Sequence, residues 1–410
     1  MRILFLTPQL PYPPHQGTAL RNFGLVRGVA EAGHDVWLLA FQEPGQPDPA
    51  DTPLADLCAR VQTVPAPPPR GKRTRLCDLA LSGAADMARR LDSAAFAGAL
   101  AEVLSGAPFD VIHVEGIEMA AYMPALRQAQ PKAAVIYDAH NAEHDLQRRV
   151  YQIDRADPKR WIGAAYSFVQ WRRLQRFERA ACRQATHVLA VSEADAAALR
   201  RLESTAAITV IPNGIDVAAY AQPPAHPVDL GPAALVFSGK MDYRPNVDAV
   251  LWFADRILPR VRAQVPEAQF VAVGQKPHPR LARLRGAPGV TLTGWVPQVE
   301  PYLHAAAVYV VPLRMGSGTR FKALQAMAAG CALVSTTLGA EGIDATPGRE
   351  LLLADTADAF AEAVAGLLRR PDRRADLGRA AQALVRRAYD WRAILPRLLD
   401  LYPTLTDTPP

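Results

Sequence analysis

Residues 316–322 read Gly-Ser-Gly-Thr-Arg-Phe-Lys. An apolar run at 308–311 precedes them. A segment follows with Phe321, Leu324 and Ala328 on one helical face, stopped by Gly330 before another apolar run at 332–336. The glycines let backbone come close to a ligand, and a helix start offers open N–H groups and partial positive charge. Gly318 and Thr319 lie in this loop, and Arg320 and Lys322 add two full positive charges. Such a loop can cradle a phosphate or diphosphate. The alternative is a tight turn with two surface cations. It is not a Walker A loop, because Gly-x-x-x-x-Gly-Lys-Ser/Thr is missing.

Two further loops have comparable chemistry. Residues 239–246 read Gly-Lys-Met-Asp-Tyr-Arg-Pro-Asn, after an apolar run at 234–237. Lys240 and Arg244 could reach the same anion, or could be exposed loop cations. The spacing of Val247, Val250, Leu251, Ala254, Ile257 and Leu258 predicts a helix with one apolar face, and Asn246 is expected as its N-cap. Near the start, residues 11–17 read Pro-Tyr-Pro-Pro-His-Gln-Gly, with a helix expected from about Thr18 and Arg21 in its first turn. Gly17 either lets the chain approach a ligand or is a plain turn glycine. Residues 138–144, Asp-Ala-His-Asn-Ala-Glu-His, follow an apolar run at 133–137. His140 there suits acid/base work or hydrogen bonding to a hydroxyl, against the commoner structural role of a lone histidine.

These loops need elements to carry them. Short apolar runs at 2–6, 35–41, 110–114, 133–137, 187–191 and 208–212, then at 234–237, 269–273, 290–293, 308–311 and 332–336, predict buried parallel strands. Segments with helical spacing separate them. The fold class expected is α/β, with two Rossmann-like doubly wound parallel-sheet domains facing a central cleft. Ligands of such sheets sit beyond the carboxyl ends of the strands. Residues 1–213 form the expected first domain and 233–390 the second. Residues 214–232, Pro-rich over 221–227, read as a stiff linker, and a helix at 391–404 is expected to pack back on the first domain.

The 410 residues are 50% hydrophobic and 21% charged, ordinary for a soluble protein, and the net charge of +6 favours anionic partners. Four cysteines without metal-ligand spacing read as reduced thiols, and the apolar start is too short for a signal-peptide core. No run approaches the length of a membrane span. A cytoplasmic protein, peripheral at most, is expected. Residues 65–75 form a basic, Pro-rich loop. Residues 148–179 carry many arginines, with Trp161, Trp171 and Phe177, on one expected long helix. Both suit an anionic lipid surface or a phosphorylated acceptor, or are simply solvated. Asp-x-Asp, Gly-x-Ser-x-Gly, and a Gly-x-Gly-x-x-Gly after the first strand are all missing.

Across nearly its whole length the chain resembles the family 4 (group 1) retaining glycosyltransferases, of the two-Rossmann-domain GT-B type. The residues that carry this are Pro13-Pro14-His15-Gln16-Gly17, Phe109-Asp110-Val111-Ile112-His113, Asp138-Ala139-His140-Asn141, Val191-Ser192-Glu193 and Ile211-Pro212-Asn213-Gly214-Ile215-Asp216. In the second half they are Gly239, Arg244-Pro245-Asn246, Gly294-Trp295-Val296, residues 316–330 and Tyr389-Asp390-Trp391. The branch it is most similar to serves bacterial polysaccharide export.

The resemblance implies a hexosyltransferase-like enzyme of cell-surface polysaccharide biosynthesis. It would move a sugar from a nucleoside-diphosphate donor to a saccharide or lipid-linked acceptor, with retention. Arg320 and Lys322, with Lys240 or Arg244, would hold the diphosphate, together with Gly239, Gly318 and Thr319. Gly17 would approach the transferred sugar and His140 would contact it. Gln325 stands where the family has a glutamate on the ribose, and Ser317 where many members have another. A glutamine can still bond a ribose hydroxyl, without charge. Neither metal nor cofactor is expected, nor a nucleic-acid partner. Gln325 leaves a non-catalytic nucleotide-sugar-binding scaffold open, and a GT-B sugar-nucleotide epimerase is the other alternative.

Overall fold

The computed structural model describes residues 1–14, 17–156, 161–316 and 320–406. The chain forms two compact units, one of Met1–Gly214 with Ile394–Pro410, the other of Ile215–Ala393.

The first unit holds a seven-stranded sheet, β1 (Arg2–Thr7), β2 (Asp35–Gln42), β3 (Arg60–Pro65), β4 (Val111–Glu115), β5 (Ala134–Ala139), β6 (His187–Ala190) and β7 (Ile208–Val210). All pairings are parallel, in the order β3-β2-β1-β4-β5-β6-β7, with Ile3 opposite both Val36 and Val111. The order reverses between β1 and β4, the point at which such sheets bind ligands. Strands β4 and β5 are buried at every residue, which explains their unbroken apolar runs. Four helices matter below: α1 (Gly17–Glu31), α2 (Lys72–Leu81), α3 (Glu143–Ala156) and α4 (Trp161–Gln184).

The second unit holds six parallel strands, β8 (Ala234–Ser238), β9 (Gln269–Val273), β10 (Val290–Gly294), β11 (Val308–Val311), β12 (Leu333–Ser335) and β13 (Leu352–Leu353), in the order β10-β9-β8-β11-β12-β13. Its switch point lies between β8 and β11. Helix α5 (Val217–Ala221), helix α6 (Arg244–Trp252) after β8, and helix α7 (Phe321–Ala328) after β11 complete the parts that frame a site. Phe253, Phe270 and Phe360 are fully buried in its core, with the Phe253 and Phe270 rings 4.4 Å apart. Full burial of such a ring stabilises by about 1.5–3 kcal/mol.

Several expectations need correction. The runs at 269–273 and 308–311 match their strands, but β3 and β13 were not expected. Strand β3 is an edge strand of mixed Arg-Val-Gln-Thr-Val-Pro sequence, mostly half-buried, so it has no apolar run. Strand β13 is two residues long. The run at 208–212 is strand only to Val210. The basic loop at 65–75 is partly helix, since Pro65 ends β3 and Lys72 starts α2 behind Gly71. Arg70 bonds Asp78 at 2.7 Å and Asp86 at 2.8 Å, so it is tied into the fold. The single long helix at 148–179 is two helices, α3 and α4, packed together through Tyr151, whose ring stacks on Trp171 at 5.9 Å. Asn246 is not an N-cap: α6 begins at Arg244, with Tyr243 in the cap position. The expected linker starts inside folded structure, where Ile215 exchanges backbone hydrogen bonds with Tyr389 and Trp391 before α5.

Candidate functional site

In the second unit, β8 and β11 flank the sheet's switch point; Gly239 follows β8, and Lys322 lies in the first turn of α7, the helix after β11. The Lys322 Nζ donates to Asn246 Oδ1 at 2.7 Å and lies 4.2 Å from the Phe237 ring centroid. The Asn246 amide in turn donates to the Lys240 carbonyl at 2.8 Å. Residue 246 therefore ties the start of α6, the β8–α6 loop and the first turn of α7 into one cluster. Gly239 has φ +154, and a Cβ there would sit 2.6 Å from Asn246 Nδ2 and 2.7 Å from Lys322 Nζ. Only glycine fits this approach without moving the lysine. Burial, and then the charge of Arg320, push the Lys322 amine down to about 7. An amine so poised gains charge when an anion arrives.

Arg320 precedes α7 and is 7% exposed. Its Nε donates to the Leu338 carbonyl at 3.3 Å, and its guanidinium lies 3.8 Å from a Glu341 carboxylate oxygen. It is thus held by protein groups rather than presented as an open surface cation. Lys240, on the β8–α6 loop, and Arg244, the first residue of α6, are exposed. The Gln325 amide donates to the Tyr220 hydroxyl of α5 at 2.8 Å, and burial pushes that phenol up to about 12. Gly318, Thr319 and Ser317 lie outside the described residues.

The first unit gathers a second cluster at the ends of β4 and β5. Gly17 begins α1, and Arg21 of that helix makes a bidentate pair with Asp138, both distances 2.8 Å, with side chains 1% and 0% exposed. Arg21 also donates to the Ile211 carbonyl at 3.0 Å. Two residues past Asp138, the His140 Nε2 lies 3.1 Å from Glu115 Oε2. The other oxygen of Glu115 lies 3.2 Å from His113 Nδ1, and His113 Nε2 lies 2.9 Å from the Tyr402 hydroxyl of the C-terminal helix Leu401–Thr406. A chain therefore runs from buried Tyr402, His113 and Glu115 to half-buried His140. Burial pushes the His140 imidazole down, but the Glu115 hydrogen bond and the Asp138 and Glu115 charges outweigh it, and the net shift is upward. Glu115 is fully buried, which disfavours its charge, yet the two histidines hold it well below the usual carboxylate range. Burial, against an Asn141 hydrogen bond and with Glu178 nearby, pushes Glu143 up to about 7. Glu115, Asp138 and His140 offer ligand atoms within 4.8 Å of one another. Both Asp138 oxygens are already engaged by Arg21, a fixed cation, so the set suits a charge network better than a metal.

Sequence reasoning named Gly239, Lys322 and His140, quoted Asn246 and His113 without these contacts, and did not name Glu115. His113 had a readable signal, a polar residue inside an apolar run, and Glu115 directly follows that run. Tyr220 and Tyr402 had none.

Two doubly wound parallel sheets, each with its polar cluster beside strand ends at a switch point, define a two-domain α/β protein of the GT-B type. Solved structures agree over the full length. The chain is similar to HepE of Anabaena in complex with UDP and glucose (17% identity, TM-score 0.65, 100% of both chains). It is also similar to sucrose-phosphate synthase of Thermosynechococcus elongatus (19%, TM-score 0.72, 99% of both). Two family models match in chain order, "Glycosyltransferase Family 4" over residues 16–219 and "Glycosyl transferases group 1" over 232–370. The chain belongs to the group 1 glycosyltransferases. A phosphatidyl-myo-inositol mannosyltransferase of Mycolicibacterium smegmatis is 31% identical over 206 residues, 48% of this chain and 52% of that protein. The match thus spans about half the length of that relative.

Proposed function

We propose that this protein transfers a hexose from a nucleoside-diphosphate sugar to a saccharide or lipid-linked acceptor, with retention and without a metal, in cell-surface polysaccharide biosynthesis. The observation that carries this reading is the Gly239–Asn246–Lys322 cluster at the switch point of the second sheet. The HepE structures with UDP and UDP-glucose, and the mannosyltransferase relative, support the choice of ligand.

When the donor breaks, negative charge builds on the departing diphosphate. A half-buried ammonium and the N–H groups at the start of α7 would stabilise that charge, and preorganised electrostatics of this kind is usually the largest single contribution to catalysis. Lys322 fills this role. Arg320 raises the local positive potential from behind, and Lys240 and Arg244 guide the anion in. Gly318 and Thr319 are assigned to the same loop. His140 and Gly17 are assigned to the transferred sugar, with His140 donating to a hydroxyl as an imidazolium. On the sugar side, Asp138 is engaged by Arg21 and Glu115 by His113 and His140, which supports front-face displacement over attack by either carboxylate.

The test is nucleotide release from candidate donors, with and without acceptor, and the anomeric configuration of the product. Release that requires acceptor, with a retained linkage, is expected. An inverted product would overturn the retaining reading, and conversion of the donor alone would mark an epimerase. One observation favours a second reading: Gln325 already bonds Tyr220 rather than standing open to a ribose. A non-catalytic nucleotide-sugar-binding scaffold would bind donor and release nothing.

A further inference from the structure

Ten large apolar side chains are exposed among the described residues, and six of them lie on α2, α3 and α4: Leu81, Val150, Ile153, Trp161, Ile162 and Phe168. Trp161 and Ile162 are each 69% exposed and Ile153 is 64% exposed. Single exposed apolar residues are ordinary, but a group of this size on adjoining helices marks a contact surface. The helices beneath are firmly joined. Ser167 donates to Asp154 at 3.0 Å across the α3–α4 contact, and Arg173 of α4 donates to the Leu79 carbonyl of α2 at 2.7 Å.

The charges on these helices are one-sided. Arg148, Arg149, Arg155, Arg172 and Arg176 are exposed on α3 and α4. The carboxylates described there, Glu143, Asp145, Asp154 and Glu178, are all buried or half-buried. Asp145 faces Arg148 at 2.6 Å, and Glu178 accepts from His144 at 2.6 Å. A solvated helix face would mix exposed acids with bases. Tryptophan, isoleucine and arginine without an exposed acid suit the boundary between anionic headgroups and acyl chains.

We propose that α3 and α4 dock this protein on an anionic lipid bilayer. Helix α3 starts three residues after His140 and runs for 14 residues, about 20 Å at 1.5 Å per residue, toward the exposed apolar end. Docking there holds the His140 cluster within reach of a headgroup glycan standing off the bilayer. The choice of a lipid-linked acceptor rests on the transferase reading; the docking does not.

The test is flotation of the full chain with vesicles of phosphatidylcholine alone, and with about one third phosphatidylglycerol, at low and high salt. Binding is expected only to the anionic vesicles, and is lost at high salt. Trp161→Ser/Ile162→Ser and Arg155→Glu/Arg172→Glu should each weaken it by at least about tenfold. Their melting temperatures should be unchanged, since all four side chains are exposed. The proposal is overturned if the wild-type chain ignores anionic vesicles, or if both variants float as well as it does. It is also overturned if the wild-type chain is a dimer that W161S/I162S converts to monomer without any vesicle binding. Turnover with a soluble acceptor, measured in parallel, separates the two readings: vesicle binding without turnover leaves docking standing and removes the transferase.

Discussion

The Glu115 carboxylate is shared between two histidines, 3.1 Å from His140 Nε2 and 3.2 Å from His113 Nδ1, with no side-chain exposure of its own. This fixes which imidazole edge faces inward: Nε2 of His140 donates to the carboxylate, leaving Nδ1 for a ligand. It also fixes the sign of the pH response. The folded pKa of His140 lies above 6.5, so its contribution to stability is full below 6.5 and is lost as pH rises through the folded value. Glu115, with its pKa depressed, contributes above the ordinary carboxylate value and loses that as pH falls. Replacement Glu115→Gln should move the His140 titration down, seen by NMR, and flatten the pH dependence of the melting temperature on both sides. An unmoved His140 titration would mean the pair carries no charge coupling.

Lys322 gives a second pH signature, in catalysis. Its amine is pushed down to about 7, so the free enzyme loses this charge as pH rises past 7. The donor kcat/KM should therefore fall above about pH 7 along a one-proton limb, because kcat/KM reports the free enzyme. Lys322→Arg should remove that limb. Lys322→Met should cost about tenfold to hundredfold in kcat/KM, the worth of a charged hydrogen bond. The same variant should be more stable than wild type. A folded pKa below the unfolded 10.5 means that folding is opposed by the ammonium, fully below pH 7 and progressively less up to 10.5. Thermal melts at pH 6 and pH 10 check this, with the larger gain expected at pH 6.

How much of this was legible beforehand depends on the range of each interaction. The buried strands were readable because both faces of a parallel sheet take apolar residues. Strand β3 was not, because an edge strand that is only half-buried tolerates Arg60, Gln62 and Thr63. Gly239 and Lys322 were readable as a loop glycine and a helix-start cation, since both signals are local. Asn246 shows the limit. Its position beside a helix start suggested capping, whereas its side chain joins Lys322, 76 residues away. The 289-residue separation of His113 and Tyr402 leaves no pattern in either segment. The Pro-rich basic stretch misled for a related reason: the carboxylates that engage Arg70 lie in and beyond α2, not beside it.

Gln325 bears on how the nucleotide is held. Its amide is spent on Tyr220 at 2.8 Å, so a ribose must compete for it or use the remaining oxygen. Gln325→Glu exchanges a neutral acceptor for a charged one, and charged hydrogen bonds are roughly twice as strong. Titration of UDP by calorimetry should show tighter binding to the Gln325→Glu protein, by a few-fold. Tyr220→Phe should leave the glutamine free and also tighten binding, by less. If neither variant changes affinity, Gln325 does not touch the nucleotide.

The pair between Arg21 and Asp138 separates structure from chemistry in the first unit. It lies two residues before His140, holds α1 against β5, and reaches the segment after β7 through the Ile211 carbonyl. With both side chains out of water, removing one leaves a buried charge without its partner. Asp138→Asn or Arg21→Met should each cost about 3–5 kcal/mol, read as a shift in the denaturation midpoint. Replacing both, Arg21→Met with Asp138→Leu, should recover most of that, because a matched apolar pair carries no desolvation penalty. Turnover should not recover with it. Asp138 also supplies part of the field that shifts the His140 titration upward, so the double variant should fold well while its His140 titrates lower. If the double variant instead regains full turnover, the negative charge beside His140 is dispensable, and the imidazolium role assigned to that residue falls.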